Sequence, residues 1–146
     1  DAILAALAVS VLAIFNGLGR VAWGGISDKI GRVKAMTLMF VIEAAVMFVL
    51  IGTTGLFLFV AVAVVGFCFG GNLSIFPSAT AEFFGTKCYG MNYGIVFTAY
   101  GIGGVLGPYL AGYIFDTMAS YFWAFQIAGV LCAVAVVLSL LLRLRK

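Results

Sequence analysis

Histidine is absent from this sequence, and acidic side chains are rare, with five Asp and Glu residues among 146. Without histidine the chain lacks the usual axial ligand of a membrane haem. Cys68, Cys88 and Cys132 stand far apart without CxxC spacing, so the sequence predicts neither a metal site nor a disulfide framework. No nucleophile is accompanied by a base or a set of metal ligands. We therefore predict that the protein is not an enzyme and needs no cofactor.

Charge of either sign is also scarce, since 9% of the residues are charged and 65% are hydrophobic. This composition leaves too little polar surface to cover a water-soluble globule. The apolar residues recur along the whole chain, which a single N-terminal signal peptide would not explain. The sequence therefore predicts an all-α membrane protein surrounded by lipid. The net charge of +3 comes mostly from predicted turns and the C-terminal tail, so no nucleic-acid partner is expected.

Five apolar segments have about the length of 20 residues that a helix needs to cross the hydrocarbon core of a bilayer. They lie at about 2–26, 35–53, 56–80, 90–114 and 120–142. Basic residues follow the first and the fifth segments, which indicates that both places are cytoplasmic. The N-terminus is then outside and the C-terminus cytoplasmic. Because the chain begins at Asp1 within an apolar run, we interpret it as a piece of a longer protein.

The segment that joins the first two predicted spans has a regular pattern of glycine and charged residues. It contains Gly24, Asp28, Lys29, Gly31 and Arg32. This pattern resembles the loop signature of the major facilitator superfamily, GxxxD(R/K)xGR(R/K), and departs from it at Val33, with Lys34 one position later. We expect a tight turn at the second glycine and cytoplasmic anchoring by the basic residues. We interpret the five residues as a conformational latch; the alternative is an ordinary basic loop.

Several short segments further resemble one branch of that superfamily, the oxalate/formate antiporter family. They are 16–20, 70–72 with 76–77, 83–87, 92–94 and 97–101. The resemblance covers essentially the whole chain and implies helices eight to twelve of a twelve-helix carrier, with alternating access around a central anion site. It also implies that residues 1–146 form a C-terminal half without its first helix. The implied partner is an N-terminal half, and the implied location is a bacterial plasma (inner) membrane.

Arg20 is the residue most suited to bind an anion. It lies about 12 Å along the helix from Asp28, close to the bilayer midplane. A bare guanidinium costs roughly 2.5 to 3.5 kcal/mol at that depth unless it meets a polar cavity or an anion. Asn16 is one turn away on the same face, and Trp23 would wall the site. The resemblance implies that Arg20 matches the family's substrate-binding arginine; the alternatives are snorkelling to the cytoplasmic side or pairing with an acid elsewhere in the protein.

The fourth span carries a stripe of Tyr93, Phe97 and Tyr100 at helical spacing. For Phe97 we prefer a packing role. For Tyr100, near the middle of the span, we prefer a pocket role, because a hydroxyl needs a partner at membrane depth. Tyr93 is a further candidate. The family's oxalate carrier has lysine at the position of Tyr100, so the resemblance implies that this chain prefers a small monocarboxylate such as lactate, pyruvate or formate over oxalate.

Two polar residues near the middle of the second and third spans have alternative interpretations. Glu43 is a candidate proton-coupling residue or the donor or acceptor of a structural hydrogen bond. Asn72 either lines the cavity or bridges two helices. The glycines at 66, 70, 101, 103, 104 and 107, with Pro108, indicate close helix packing and bending.

Together these features predict a secondary transporter of small organic anions in the lipid bilayer. It would work by alternating access, either as an exchanger or coupled to protons, with Arg20 as the anion receptor. The alternative is a structural or assembly subunit of a membrane complex, for which a midplane arginine would be incidental.

Overall fold

The computed structural model describes the backbone of residues 2–50 and 55–144, and those residues form helices joined by short turns. The helices are α1 (Ala2–Ile30), α2 (Arg32–Val49), α3 (Leu56–Phe84), α4 (Tyr89–Met118) and α5 (Phe122–Leu144). Four of them, all except α2, are long and apolar enough to cross a membrane. The shorter α2 has 18 residues, or about 27 Å, and carries its basic residues in its first turn. The predicted all-α membrane fold with five helices is confirmed; the predicted end of the second span, 51–53, lies outside the described residues.

Three of the helices, α1, α3 and α4, extend further than the apolar segments that predicted them. α1 continues to Ile30, and α2 begins at Arg32, so Gly31 alone separates the two helices. Gly31 has a φ of 93°, a value that favours glycine, which confirms the tight turn expected there. The segment interpreted as a loop is therefore mostly helical, and Lys29 is an exposed residue in the last turn of α1. Hydropathy marks the lipid-embedded part of a helix, whereas its backbone hydrogen bonds continue into the polar headgroup region.

Glycines bring α1 and α3 into close contact, as the sequence predicted for two of them. A Cβ atom added to Gly70 would lie 2.0 Å from the carbonyl oxygen of Asn16. One added to Gly66 would lie 2.7 Å from the carbonyl oxygen of Leu12, and one added to Gly19 would lie 2.0 Å from a carbonyl oxygen of α3. Such small residues let helix backbones approach within the membrane, where packing drives association.

The buried core is shared by α1, α2 and α3, and Trp23 belongs to it. Trp23 is 2% exposed and packs against Phe67, Met39 and Gly71. The expectation that Trp23 walls an anion site is therefore wrong, because its ring fills the space between three helices. The remaining helices join this core at its edges. Helix α5 packs on α2, where Thr37 and Ser139 share a hydrogen bond of 2.8 Å.

Helix α4 is packed differently from the other helices, since none of its residues is buried. Added Cβ atoms on Gly101, Gly103, Gly104 and Gly107 would meet no atom within 4 Å among the described residues. The close packing expected at these glycines is thus absent from the described part of the chain. Pro108 lies inside α4 without interrupting it, so the expected bend does not break the helix.

Candidate functional site

Three helices bring most of the candidate residues to a similar level along the bundle. Asn16 is the central residue of α1, and its carbonyl faces Gly70 near the centre of α3. The ring of Phe69, next to Gly70, lies 6.0 Å from the ring of Tyr100 on α4. Arg20 is one helical turn beyond Asn16, about 6 Å along the axis. Asn16, Arg20 and Tyr100 therefore lie at a similar level near the middle of their helices, whereas Tyr93 lies in the second turn of α4.

The Arg20 side chain is held by its neighbour one turn earlier. Its Nε donates a hydrogen bond of 3.1 Å to Oδ1 of Asn16. The side chain is thus directed toward the centre of α1, whereas snorkelling would direct it toward the C-terminal end. Within residues 2–50 and 55–144 no carboxylate forms an ion pair with Arg20. The Nη1 and Nη2 groups therefore remain available for bidentate binding of a carboxylate.

The position of Arg20 around α1 keeps it away from the core. Arg20 and Ile26 lie about 60° to either side of Trp23 in a helical projection. Ile26 packs against the core that α1 shares with α2, whereas Arg20 is exposed. The exposed side chain of Arg20 consequently lies on the other side of Trp23 from Ile26.

A cavity of about 230 Å³ lies between α3 and α4. Three of the predicted site residues line it, namely Asn72, Tyr93 and Tyr100. Most of the remaining wall is aromatic and is formed by Phe40, Phe69, Phe76 and Phe97. Arg20 and Asn16 are not part of this wall. The structure therefore brings three of the five candidates together and places the other two on α1, at a level similar to that of Tyr100.

The aromatic stripe predicted on α4 is present as a series of ring contacts. The rings of Tyr93 and Phe97 lie 5.5 Å apart, and those of Phe97 and Tyr100 lie 4.9 Å apart. Tyr89 extends the series by one turn, at 5.7 Å from Tyr93. Phe97 packs between the two tyrosines, and its ring also lines the cavity.

Asn72 both lines the cavity and bridges two helices, so the two interpretations hold together. Its Nδ2 donates to Oε1 of Glu43 on α2 at 3.4 Å. Glu43 is 9% exposed, and this bond is the structural contact considered for it. Sequence reasoning treated the two residues separately. The signal that could have paired them is that each is the polar residue near the middle of its predicted span.

A cluster of polar side chains at the junction of α1 and α2 contains two of the five residues interpreted as a latch, Asp28 and Arg32. Arg32 pairs with Asp28 at 2.5 Å, donates to Oγ of Ser27, and lies 4.0 Å from Glu82 near the end of α3. Glu82 was not predicted as a member. Among the described residues, no atom lies within 4 Å of a Cβ added to Gly24, so α1 makes no close helix contact at this glycine. The cluster joins the C-terminal ends of α1 and α3 to the N-terminal end of α2.

Comparison with known proteins agrees with this architecture. The family model described as Major Facilitator Superfamily matches residues 1–146. The chain is 39% identical over 109 residues to an uncharacterized MFS-type transporter, YhjX, of Escherichia coli strain K12, covering 72% of the chain and 27% of that protein. It is 38% identical over 104 residues to the oxalate:formate antiporter of Oxalobacter formigenes, covering 69% of the chain and 25% of that protein.

A third relative, monocarboxylate transporter 14 of Mus musculus, is 31% identical over 136 residues, covering 90% of the chain and 26% of that protein. The chain thus spans about a quarter of the length of the curated relatives it matches. The resemblance to the oxalate/formate antiporter family seen in short segments is confirmed as overall sequence identity. Together with the membrane-spanning helices, the family match identifies this integral membrane protein: the chain belongs to the major facilitator superfamily.

Proposed function

We propose that the full-length protein is a secondary transporter that carries small carboxylate anions by alternating access, with Arg20 as the anion receptor. The observation that supports this most is the Arg20 guanidinium, which lies near the middle of α1, is held by Asn16, and has no ion-pair partner among the described residues. The names of two relatives, an oxalate:formate antiporter and a monocarboxylate transporter, agree with an anionic substrate. The protein would work in a bacterial inner membrane, with the Gly31 turn on the cytoplasmic side.

Anion binding at Arg20 would lower the barrier to transport. An unpaired guanidinium is costly at membrane depth. A bound carboxylate neutralises it, so the occluded state becomes more accessible when the carrier is loaded than when it is empty. This difference favours exchange of one anion for another. A proton taken up by another group would lower the same barrier and allow symport.

The geometry of Arg20 favours binding through the far edge of the guanidinium. Because Nε donates to Asn16, the carboxylate would accept from Nη1 and Nη2. Tyr100 and Asn72 would contact the other end of the substrate when α4 approaches α1. The cavity that Tyr100 and Asn72 line has a mostly aromatic wall, which suits an apolar substituent of the substrate better than a second charge.

The arrangement of basic residues supports a monocarboxylate as substrate. Apart from Arg20, the basic side chains that the structure describes are Lys29, Arg32, Lys34 and Lys87, and each lies in a terminal turn of a helix or between helices. A dianion such as oxalate would leave its second carboxylate without a cation from this chain. We therefore propose lactate, pyruvate or formate as the preferred type of substrate. Calorimetry on the purified full-length protein would contradict this if oxalate bound far more tightly than lactate.

Substitution of Arg20 by lysine tests the receptor role. Arg20→Lys keeps the positive charge but loses the bidentate fork, so counterflow of labelled lactate in proteoliposomes should fall by roughly tenfold or more. Arg143→Lys, the same change at the end of α5, is the matched control and should leave counterflow unchanged. Wild-type counterflow in the Arg20→Lys protein would overturn the role. Absence of counterflow with every carboxylate tested on the wild-type protein would favour an assembly subunit instead.

A further inference from the structure

Glu43 is a carboxyl group within the bundle that no cation neutralises in the described part of the chain. It is 9% exposed and lies about 16 Å along α2 from Arg32. The titratable groups that face it from the packed helices are Cys68 on α3 and Cys132 on α5. Thiols are uncharged near neutral pH and offer no compensating charge. An ionised Glu43 is therefore costly, and binding of a proton removes that cost.

Asn72 connects this carboxyl group to the cavity between α3 and α4. Its Nδ2 donates to Oε1 of Glu43, and the same side chain lines the cavity. The two branches of its amide diverge, so Oδ1 points away from Glu43. Oδ1 is buried and has no hydrogen-bond partner among the described residues. A buried acceptor without a partner is costly, and that cost can be removed if the amide changes its orientation.

The two protonation states of Glu43 require opposite orientations of the Asn72 amide. When Glu43 is ionised it only accepts hydrogen bonds, so Nδ2 faces it and the acceptor Oδ1 faces away. When Glu43 has taken up a proton from the aqueous side, its O–H donates to Oδ1 of the reversed amide, and the Nδ2 donors face away. The oxygen and nitrogen branches are nearly equal in length, so both orientations fit the same spacing.

We infer that Glu43 is the proton-binding site of the carrier and that the Asn72 amide, which joins Glu43 to the wall of the cavity, reverses with the protonation state of Glu43. Because Oδ1 is buried, Glu43 acts on an anion in the cavity through its charge: an ionised Glu43 repels the anion, and a protonated Glu43 does not. Proton binding thus strengthens anion binding, and by linkage anion binding strengthens proton binding by the same factor. This inference rests on the proposed function and extends it from exchange to symport of a proton with a monocarboxylate.

The test is the affinity of the purified full-length protein for lactate between pH 5.5 and pH 8, measured by calorimetry. Lactate stays ionised in this range, because a carboxyl group in water titrates near pH ~4. Wild-type protein should bind lactate at least roughly fivefold more tightly at the acidic end. Glu43→Gln cannot titrate, and its amide N–H mimics the protonated acid, so its affinity should be independent of pH and close to the wild-type value at low pH. Glu43→Asp retains a titrating group and should retain the pH dependence.

Asp116→Asn is the matched control, because Asp116 is an exposed carboxyl residue near the end of α4. It should bind lactate with the wild-type pH dependence. A Glu43→Gln protein that keeps the wild-type pH dependence would overturn the inference, as would one that is folded but fails to bind lactate at every pH. Wild-type binding that is independent of pH would overturn this inference alone, whereas wild-type protein that binds no monocarboxylate at any pH would overturn the proposed function itself.

Discussion

The two faces of α3 show opposite kinds of helix contact. Toward α1, glycines bring the backbones together, so that an added Cβ on Gly70 would lie 2.0 Å from a carbonyl oxygen of α1. Toward α4, the contact is made by aromatic rings such as Phe69 and Tyr100, and a cavity of about 230 Å³ remains open. The first contact leaves no room for sliding, and the second does. We expect α1 and α3 to move as one body and α4 to move against them.

The largest expected effect comes from adding a methyl group to the glycine contact. Gly70→Ala should destabilise the full-length protein by about 1–3 kcal/mol, because backbone on both sides must shift. Gly104→Ala on α4 is the matched control, since its Cβ would meet no atom of the described chain within 4 Å. It should be neutral or stabilise by up to about 1 kcal/mol through helix propensity. Denaturant unfolding in detergent measures both; equal destabilisation by the two substitutions would contradict the comparison.

The ring contact between α3 and α4 should contribute less. A double-mutant cycle with Phe69→Ala and Tyr100→Ala should give a coupling energy of about 0.5–1.5 kcal/mol in the same unfolding assay. The pair Phe97 and Tyr100, which lies within α4, is the control for ring stacking that does not cross between helices. A coupling between Phe69 and Tyr100 as large as the cost of Gly70→Ala would mean that α4 is not the looser partner.

The C-terminal end of α4 carries a residue in an unfavourable backbone conformation. Ala119 has φ 50° and ψ 27°, a left-handed conformation that glycine adopts without steric cost. Ala119→Gly should therefore stabilise the protein by roughly 0.4–1 kcal/mol, measured as a shift in the unfolding midpoint. Ala111→Gly, in the interior of α4, is the control and should destabilise instead. Loss of stability in the Ala119→Gly protein would show that the end of α4 has a different conformation.

The smallest effect is expected where Arg32 joins the α1 and α2 junction to α3. Arg32 and Glu82 are 4.0 Å apart and partly exposed, so their coupling energy in a double-mutant cycle should be about 0.2–1 kcal/mol. High salt should reduce it, because solvent screens exposed pairs. A coupling that salt does not change would indicate that the pair is shielded from solvent. It would also mean that α3 is held more firmly at its C-terminal end than at its glycine contact with α1.

Much of the fold could be predicted because hydropathy and glycine content act locally. The five helices, the turn at Gly31 and the close approach at Gly66 and Gly70 were all predicted correctly. The helical character of the segment at Asp28 was not, because apolar length does not report where backbone hydrogen bonding ends. The buried position of Trp23 was also missed, since the side of a helix on which a ring lies depends on which helices flank it.

Individual residues of the candidate site could be singled out from the sequence, but their arrangement could not. A guanidinium at the depth of Arg20 is unusual enough in an apolar span to indicate function from sequence alone. Which polar groups meet was not predictable. Tyr93, Tyr100 and Asn72 share a cavity, while Arg20 lies on another helix and Asn72 bonds to Glu43.

Composition and periodicity by themselves determined that lipid surrounds this protein, how many helices it has and which residues are costly in lipid. Those properties follow from the free energy of transferring individual side chains between water and hydrocarbon, which is a property of each residue by itself. Only the tertiary structure decided that α3 packs closely on α1 and loosely on α4, and that Glu43 reaches the cavity through Asn72. Contacts between helices depend on the shapes of surfaces built from residues far apart in the chain, and no local pattern specifies how two such surfaces fit.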